Sequence, residues 1–211
     1  MWKILRPLIL VLSMLFVLLL GKVRGAEISS PMADIKETVE KLKKIVSDPD
    51  LKGSAKKQER YGLIRDLLIE RIDFKEMAMS SLGRNWRKIT EAQQTKYIEV
   101  FSNFLEAFYR ERLFNSIEFL ESSEVGVKYL KEIVEGDFAS ISIKISTTRG
   151  DDFSIIFKLH LVSGVWKAYD VVIENVSTIA NWRAQFDRVI LKKSFEKLLE
   201  DLEERTKELN K

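Results

Sequence analysis

The chain has 211 residues, among them 35 Lys or Arg, 32 Asp or Glu, one His and no Cys, for a formal net charge of +3. Four of the basic side chains (Lys3, Arg6, Lys22 and Arg24) stand in the first 25 residues; without them 31 bases face 32 acids and the net charge is −1. Such a balance does not attract phosphate backbones or anionic surfaces, so nucleic acid is not an expected partner, and the missing thiols exclude disulfides, thiolate chemistry, cysteine metal sites and a lipid anchor on an N-terminal Cys.

Lys3 and Arg6 precede an uncharged, greasy run from Leu8 to Leu20 that Gly21 ends, the pattern of a secretory signal. A helix over that run is about 20 Å long, against about 30 Å for a bilayer's hydrocarbon core. Cleavage after Gly25 puts Val23 and Gly25 at the small-residue positions, whereas cleavage after Ala26 puts Arg24 there. Residues 1–25 are therefore expected to be a cleaved secretory signal, with an uncleaved membrane anchor as the alternative. Residues 26–211 are expected to form one domain, large enough for a core that also holds a cavity.

Ser30 and Pro31 suit an N-cap and first helical position, and Ile35, Val39, Leu42 and Val46 follow at helical spacing until Asp48 and Pro49. Tyr61, Ile64, Leu68 and Ile72 line one face of a second helix over 56–71. Asp73 with Glu76 caps a short third helix, which Gly83 closes. Thr90 and Gln93 form a capping box for a longer helix whose face of Tyr97, Phe101, Phe104, Leu105, Phe108 and Tyr109 is largely aromatic. After Phe114 the period changes to alternation. Gly136, Gly150 and Gly164, each among turn-forming residues, mark three hairpins joining four strands. Val127, Tyr129, Lys131 and Ile133 alternate, as do Ala139, Ile141, Ile143 and Ile145, and Phe153, Ile155, Phe157, Leu159 and Leu161. Each strand thus has one apolar face. From Ser177 onward, Ile179, Trp182, Phe186, Ile190 and Leu191 return to helical spacing, and a charged helix with Leu198, Leu199 and Leu202 ends the chain. The expected class is α+β: N-terminal helices on one face of a four- or five-stranded antiparallel meander sheet, then C-terminal helices.

Catalytic patterns are sparse. His160 lies between Leu159 and Leu161 on a polar strand face, where a solvated surface residue is expected rather than a metal ligand or a base. No Gly-rich phosphate loop, nucleophile elbow or metal-spaced cluster occurs in the sequence. Asp170 shares strand parity with Trp166, Ala168 and Val172, so if that face points inward it needs a partner: Arg183, or the backbone amides of the following helix. Arg149, Gly150 and Asp151 spell an adhesion-type tripeptide that a hairpin turn accounts for equally well. The aromatic stripe over 97–109 has two readings, a cavity wall or ordinary core.

The stretch Leu82-Gly83-Arg84-Asn85-Trp86, then Thr90, Gln93 and the residues from Phe101 to Tyr109, then Gly164-Val165-Trp166-Lys167-Ala168-Tyr169-Asp170-Val171, Glu174-Asn175-Val176-Ser177 and Asn181-Trp182-Arg183-Ala184-Gln185-Phe186 resembles the MlaC, or toluene-tolerance, family of periplasmic phospholipid-binding proteins. The resemblance spans about residues 35 to 205. Asn175 stands where Gly is usual and Trp182 where Tyr is common; Asn tolerates the left-handed conformation, so the turn is expected to survive.

The resemblance implies a cystatin-like or NTF2-like cone with an internal apolar cavity. It implies a periplasmic carrier, not an enzyme, that moves phospholipid between an outer-membrane lipoprotein complex and an inner-membrane ABC transporter complex of the Mla type. Bound phospholipid is then cargo; no cofactor, metal or catalytic residue is expected, and the protein is expected to be a monomer. The cavity is expected between Met77, Leu82, Trp86, Phe101, Phe104, Leu105 and Phe108 on the helical side and Ile143, Ile155, Phe157, Leu159, Trp166 and Val172 on the sheet side. Three alternatives stand beside this reading: a carrier of another lipid such as a hopanoid, a small NTF2-like enzyme with Asp170 as base, and an envelope interaction module with a filled core.

Overall fold

The structure, a computed structural model, describes residues 29–122, 125–147 and 152–211. The expected signal at 1–25 and the tripeptide at 149–151 lie outside the described residues. Among the described residues six α-helices and a five-stranded antiparallel sheet follow one another: α1 (Pro31–Ser47), α2 (Lys57–Ile69), α3 (Phe74–Leu82), α4 (Glu91–Ser122), β1 (Val125–Glu135), β2 (Phe138–Thr147), β3 (Asp152–Val162), β4 (Val165–Ile173), β5 (Val176–Ser177), α5 (Thr178–Lys192) and α6 (Phe195–Leu209). This is the expected α+β class. Among these residues no helix is long and apolar enough to cross a membrane.

The helix starts are fixed by short polar side chains, each contributing about 1 kcal/mol. Ser30 Oγ accepts from the Ala33 amide at 3.0 Å and Asp73 Oδ1 from the Glu76 amide at 3.0 Å. Thr90 and Gln93 cap each other reciprocally at 3.3 and 2.9 Å. Ser177 and Ser194 cap α5 and α6 in the same way. Helix α4 does not stop near Phe114 but continues to Ser122. No Gly or Pro interrupts 115–122, and Phe114, Ile117 and Leu120 keep helical spacing, so the local sequence supports helix beyond the expected boundary.

Strands β1 to β5 lie in sequence order, each antiparallel to the next. Ser163 and Gly164 turn β3 into β4 with φ of 51° and 83°, and Glu174 and Asn175 turn β4 into β5 with φ of 48° and 64°. The Asn at 175 thus occupies the left-handed conformation it was expected to tolerate. Two bulges break the alternation. One at Leu130 shifts the β1 register between Tyr129 and Lys131, so Ile133 pairs with Ser140 and is 40% exposed rather than continuing the apolar face of Val127 and Tyr129. The other, at Tyr169, sets Ala168 opposite Leu159 but Asp170 opposite Lys158. An extra residue in one strand moves everything after it to the other face. Asp170 and Val172 therefore do not share a face with Trp166 and Ala168; Val171, opposite Phe157, takes that place.

The buried side chains fall into three groups. The sheet's inner face, with Ala139, Ile141, Ile143, Leu159 and Trp166, is covered by Met32 and Ile35 of α1. Tyr61 and Ile64 of α2 pack with Leu42, Ile45 and Val46 of α1 and with Phe114. The largest group joins α3, α4, α5 and α6: Leu82, Tyr97, Phe101 and Phe104 meet Trp182, Phe186, Phe195 and Leu198. Tyr97, Phe101, Phe104 and Phe108 of the α4 stripe thus face the C-terminal helices, not the sheet. Trp182 stacks on Phe186 at 5.5 Å and meets Phe104 and Phe108 edge-on, each at 5.1 Å, arrangements worth about 1 kcal/mol each beyond their burial. Burial pushes the Tyr97 phenol well above its ordinary pKa, so it stays neutral and shares a 2.7 Å hydrogen bond with Ser81 Oγ.

Candidate functional site

The three packed groups leave a hollow between them. It has a volume of about 430 Å³, within the range of roughly 300 to 1,000 Å³ common to small-molecule sites. Helix α2 contributes Tyr61, Leu68 and Ile69; the α2–α3 link and α3 contribute Ile72, Phe74 and Met77; α4 contributes Leu105 and Tyr109; β4 contributes Ala168, Val171 and Ile173. The link 71–73 is held against β4 by backbone bonds from Asp73 N to Ala168 O (2.9 Å) and from Ala168 N to Arg71 O (2.7 Å). The sheet edge and the helical layer are therefore tied together beside the hollow.

The polar groups on this surface are already engaged. Asp170, only 3% exposed, accepts the Ser177 hydroxyl at 2.7 Å and the Ile179 amide at 3.1 Å, with Lys158 Nζ at 3.5 Å. The second of the two partners expected for it, the following helix's amides, is the one observed. Arg183 instead donates through Nε to the Ser80 carbonyl at 2.6 Å. The Thr178 hydroxyl, also on the lining, donates to the Val171 carbonyl at 2.9 Å. Arg65 is paired with Glu106 at 2.6 Å and with Asp66 at 2.7 Å, and its hydrogen bond with Glu106 raises the guanidinium above its ordinary pKa. Little on the inner surface is left to hold a polar guest, since a buried polar group without a free partner is costly. Apolar contact is what the interior offers. Tyr109, Arg110 and Ile173 are exposed and mark where the hollow meets solvent.

The expected wall is only partly assembled here. Met77 and Leu105 line the hollow. Leu82, Phe101 and Phe104 belong to the helical core, with Trp86 and Phe108 packed against it. Ile143, Leu159 and Trp166 are buried under α1, and Ile155 and Phe157 pack beside them. Val172 pairs with Ile156 on the other sheet face because of the Tyr169 bulge. Lining residues that parity missed are Val171 and Ile173, displaced by that bulge, together with Ile69, Phe74 and the charged Arg65, Glu106 and Arg110; Tyr109 was legible as part of the α4 stripe. Leu68 and Ile72 were legible as part of an α2 apolar stripe, but their partner surface was not.

His160 is not a free surface residue: its Nδ1 lies 2.7 Å from Asp73 Oδ2 and its ring stacks on Phe138 at 4.7 Å. It fastens the start of α3 to the sheet. Among the described residues no group of His, Cys, Asp or Glu is placed to hold a metal ion. Several motif residues are structural. Arg84 and Asn85 both bond Asp187, at 2.9 and 2.7 Å, joining the end of α3 to α5. Gly83 has φ +53°, and a Cβ there would sit 3.0 Å from Arg183 Cδ. Gly83→Ala is expected to cost about 2 kcal/mol through backbone strain and displacement of Arg183. Urea unfolding checks this, and an unchanged midpoint would remove the strain argument.

Comparisons with known proteins agree with this fold. The model of the family described as MlaC protein matches residues 36–204. The intermembrane phospholipid transport system binding protein MlaC of Haemophilus influenzae is 26% identical over 164 residues, covering 73% of this chain and 73% of its own length. A phospholipid-binding protein from Ralstonia solanacearum, solved in complex with a phospholipid, matches in fold with a TM-score of 0.68 at 24% identity, over 87% of this chain and 100% of its own.

Proposed function

Because the chain belongs to the MlaC family, we propose that it is a periplasmic phospholipid carrier that holds acyl chains in the hollow between α2, α3, α4 and β4. The observation that carries this reading is an interior of Leu68, Ile72, Met77, Leu105 and Val171 whose nearby polar groups are already bonded to one another. The named phospholipid transport role of the Haemophilus relative and the phospholipid bound to the Ralstonia neighbour support it.

Each methylene moved from water into such a surface gains about 0.8 kcal/mol, so two acyl chains of ordinary length gain roughly 20 kcal/mol or more. A lipid therefore does not leave a membrane unaided. A bilayer interior offers the tails nearly the same environment, so a carrier gains little overall and can both load and unload. The headgroup stays near solvent, because burying an unpartnered phosphate is costly. The chain shuttles between an outer-membrane lipoprotein complex and an inner-membrane ABC transporter complex, reaching the periplasm through the signal at residues 1–25. Asp170 serves as a structural tie and not as a base, since both its oxygens are engaged. An open hollow also disfavours a filled-core interaction module.

Native purification of the mature chain followed by solvent extraction and mass spectrometry tests this. Diacyl phospholipid at close to one per protein is expected. Recovery of protein with no lipid, even under gentle conditions and after incubation with vesicles, would contradict it.

A further inference from the structure

The charges around the hollow are unequally compensated. Asp170 is bonded on both oxygens, and Arg65 is matched by Glu106 and Asp66. Arg110 differs. Its Nη1 donates at 2.9 Å to the side-chain oxygen of Asn210, a neutral amide at the C-cap of α6. Among the described residues no carboxylate bonds to it, and Glu106, one turn earlier on α4, is engaged by Arg65.

Its position matters as much as its charge. Leu105 is 3% exposed, whereas Tyr109 is 39% exposed and Arg110 is also exposed. Arg110 stands five residues beyond Leu105, about 7.5 Å farther along α4. The same helix thus carries an apolar side chain at depth and a cation at the mouth. A lipid with buried tails and a hydrated anionic group needs both kinds of contact, and both side chains line the hollow. A guanidinium presents paired N–H donors that match two oxygens of a phosphate.

We propose that Arg110 receives the phosphate of the guest lipid, so that the hollow takes phosphate-bearing diacyl lipids in preference to neutral ones. This rests on the hollow being the acyl-chain site. It also speaks against a neutral polycyclic lipid such as a hopanoid as the main cargo, because such a molecule leaves Arg110 without a counter-charge.

The test uses mature protein stripped of lipid, as wild type, Arg110→Gln and Arg110→Lys. Each is incubated with vesicles of dioleoylphosphatidylcholine doped with dioleoylglycerol, re-isolated and extracted, and both lipids are counted. Wild type is expected to be enriched in the phospholipid relative to the vesicles. Arg110→Gln is expected to lower the ratio of phospholipid to diacylglycerol taken up roughly tenfold, with partial recovery in Arg110→Lys. Equal enrichment in wild type and Arg110→Gln overturns the assignment while leaving the acyl-chain site standing. Uptake of neither lipid by wild type overturns the acyl-chain site, and the assignment with it.

Discussion

Met77→Asp is expected to reduce phospholipid retention at least a hundredfold while leaving the fold intact. Met77 is half-buried on α3 and lines the hollow, so in the empty protein an aspartate there can still reach water. Tails entering the hollow remove that water, and an ionised carboxylate against hydrocarbon costs several kcal/mol. Each 1.4 kcal/mol is about a factor of ten in binding. Leu68→Asp approaches the same space from α2 and is expected to act alike, whereas Met77→Leu, which nearly conserves volume and polarity, is expected to bind normally. The measurement is lipid per protein after vesicle incubation, with circular dichroism to confirm folding. Normal retention in both aspartate variants would place the tails elsewhere.

Asp170→Ala is expected to lower stability by about 3 kcal/mol or more. The carboxylate caps the chain where β4, β5 and α5 meet, through the Ser177 hydroxyl and the Ile179 amide. Its removal leaves a buried amide and hydroxyl without their acceptor and Lys158 without its partner. The loss is read from the urea midpoint at constant m-value. A variant as stable as its parent would show that the carboxylate is not a tie, and would reopen its use as a proton-transfer base.

Much of the fold was legible because its signals are local. Ser30, Asp73, Thr90 and Ser177 start helices for the same reason in any context: a short side chain satisfies amides that the first turn leaves open. Gly136 and Gly164 mark hairpins through the backbone freedom that those turns need. Alternation in β2 identified a true inner face, since Ala139, Ile141 and Ile143 are all buried. The hollow was harder to read. Parity carries a face correctly only until a bulge, and nothing in Lys167-Ala168-Tyr169-Asp170 announces the extra residue that exchanges Val172 for Val171. Periodicity likewise shows that the α4 stripe is buried but not what covers it. Phe101 and Phe104 found Trp182 and Phe186 across a helix–helix contact, where a sheet partner was expected. The family resemblance rests largely on residues such as Gly83, Asn85 and Arg183 that brace α3 against α5, so it located the scaffold better than the cavity.

The most direct test is a crystal structure of the mature protein loaded with a phospholipid whose acyl chains carry bromine, with the halogens located by anomalous scattering. Bromine peaks are expected in the space bounded by Leu68, Met77, Leu105 and Val171. Peaks confined to another place, such as the crevice between α5 and α6 or the sheet face beneath α1, with that space empty, would contradict the assignment of the hollow to lipid tails.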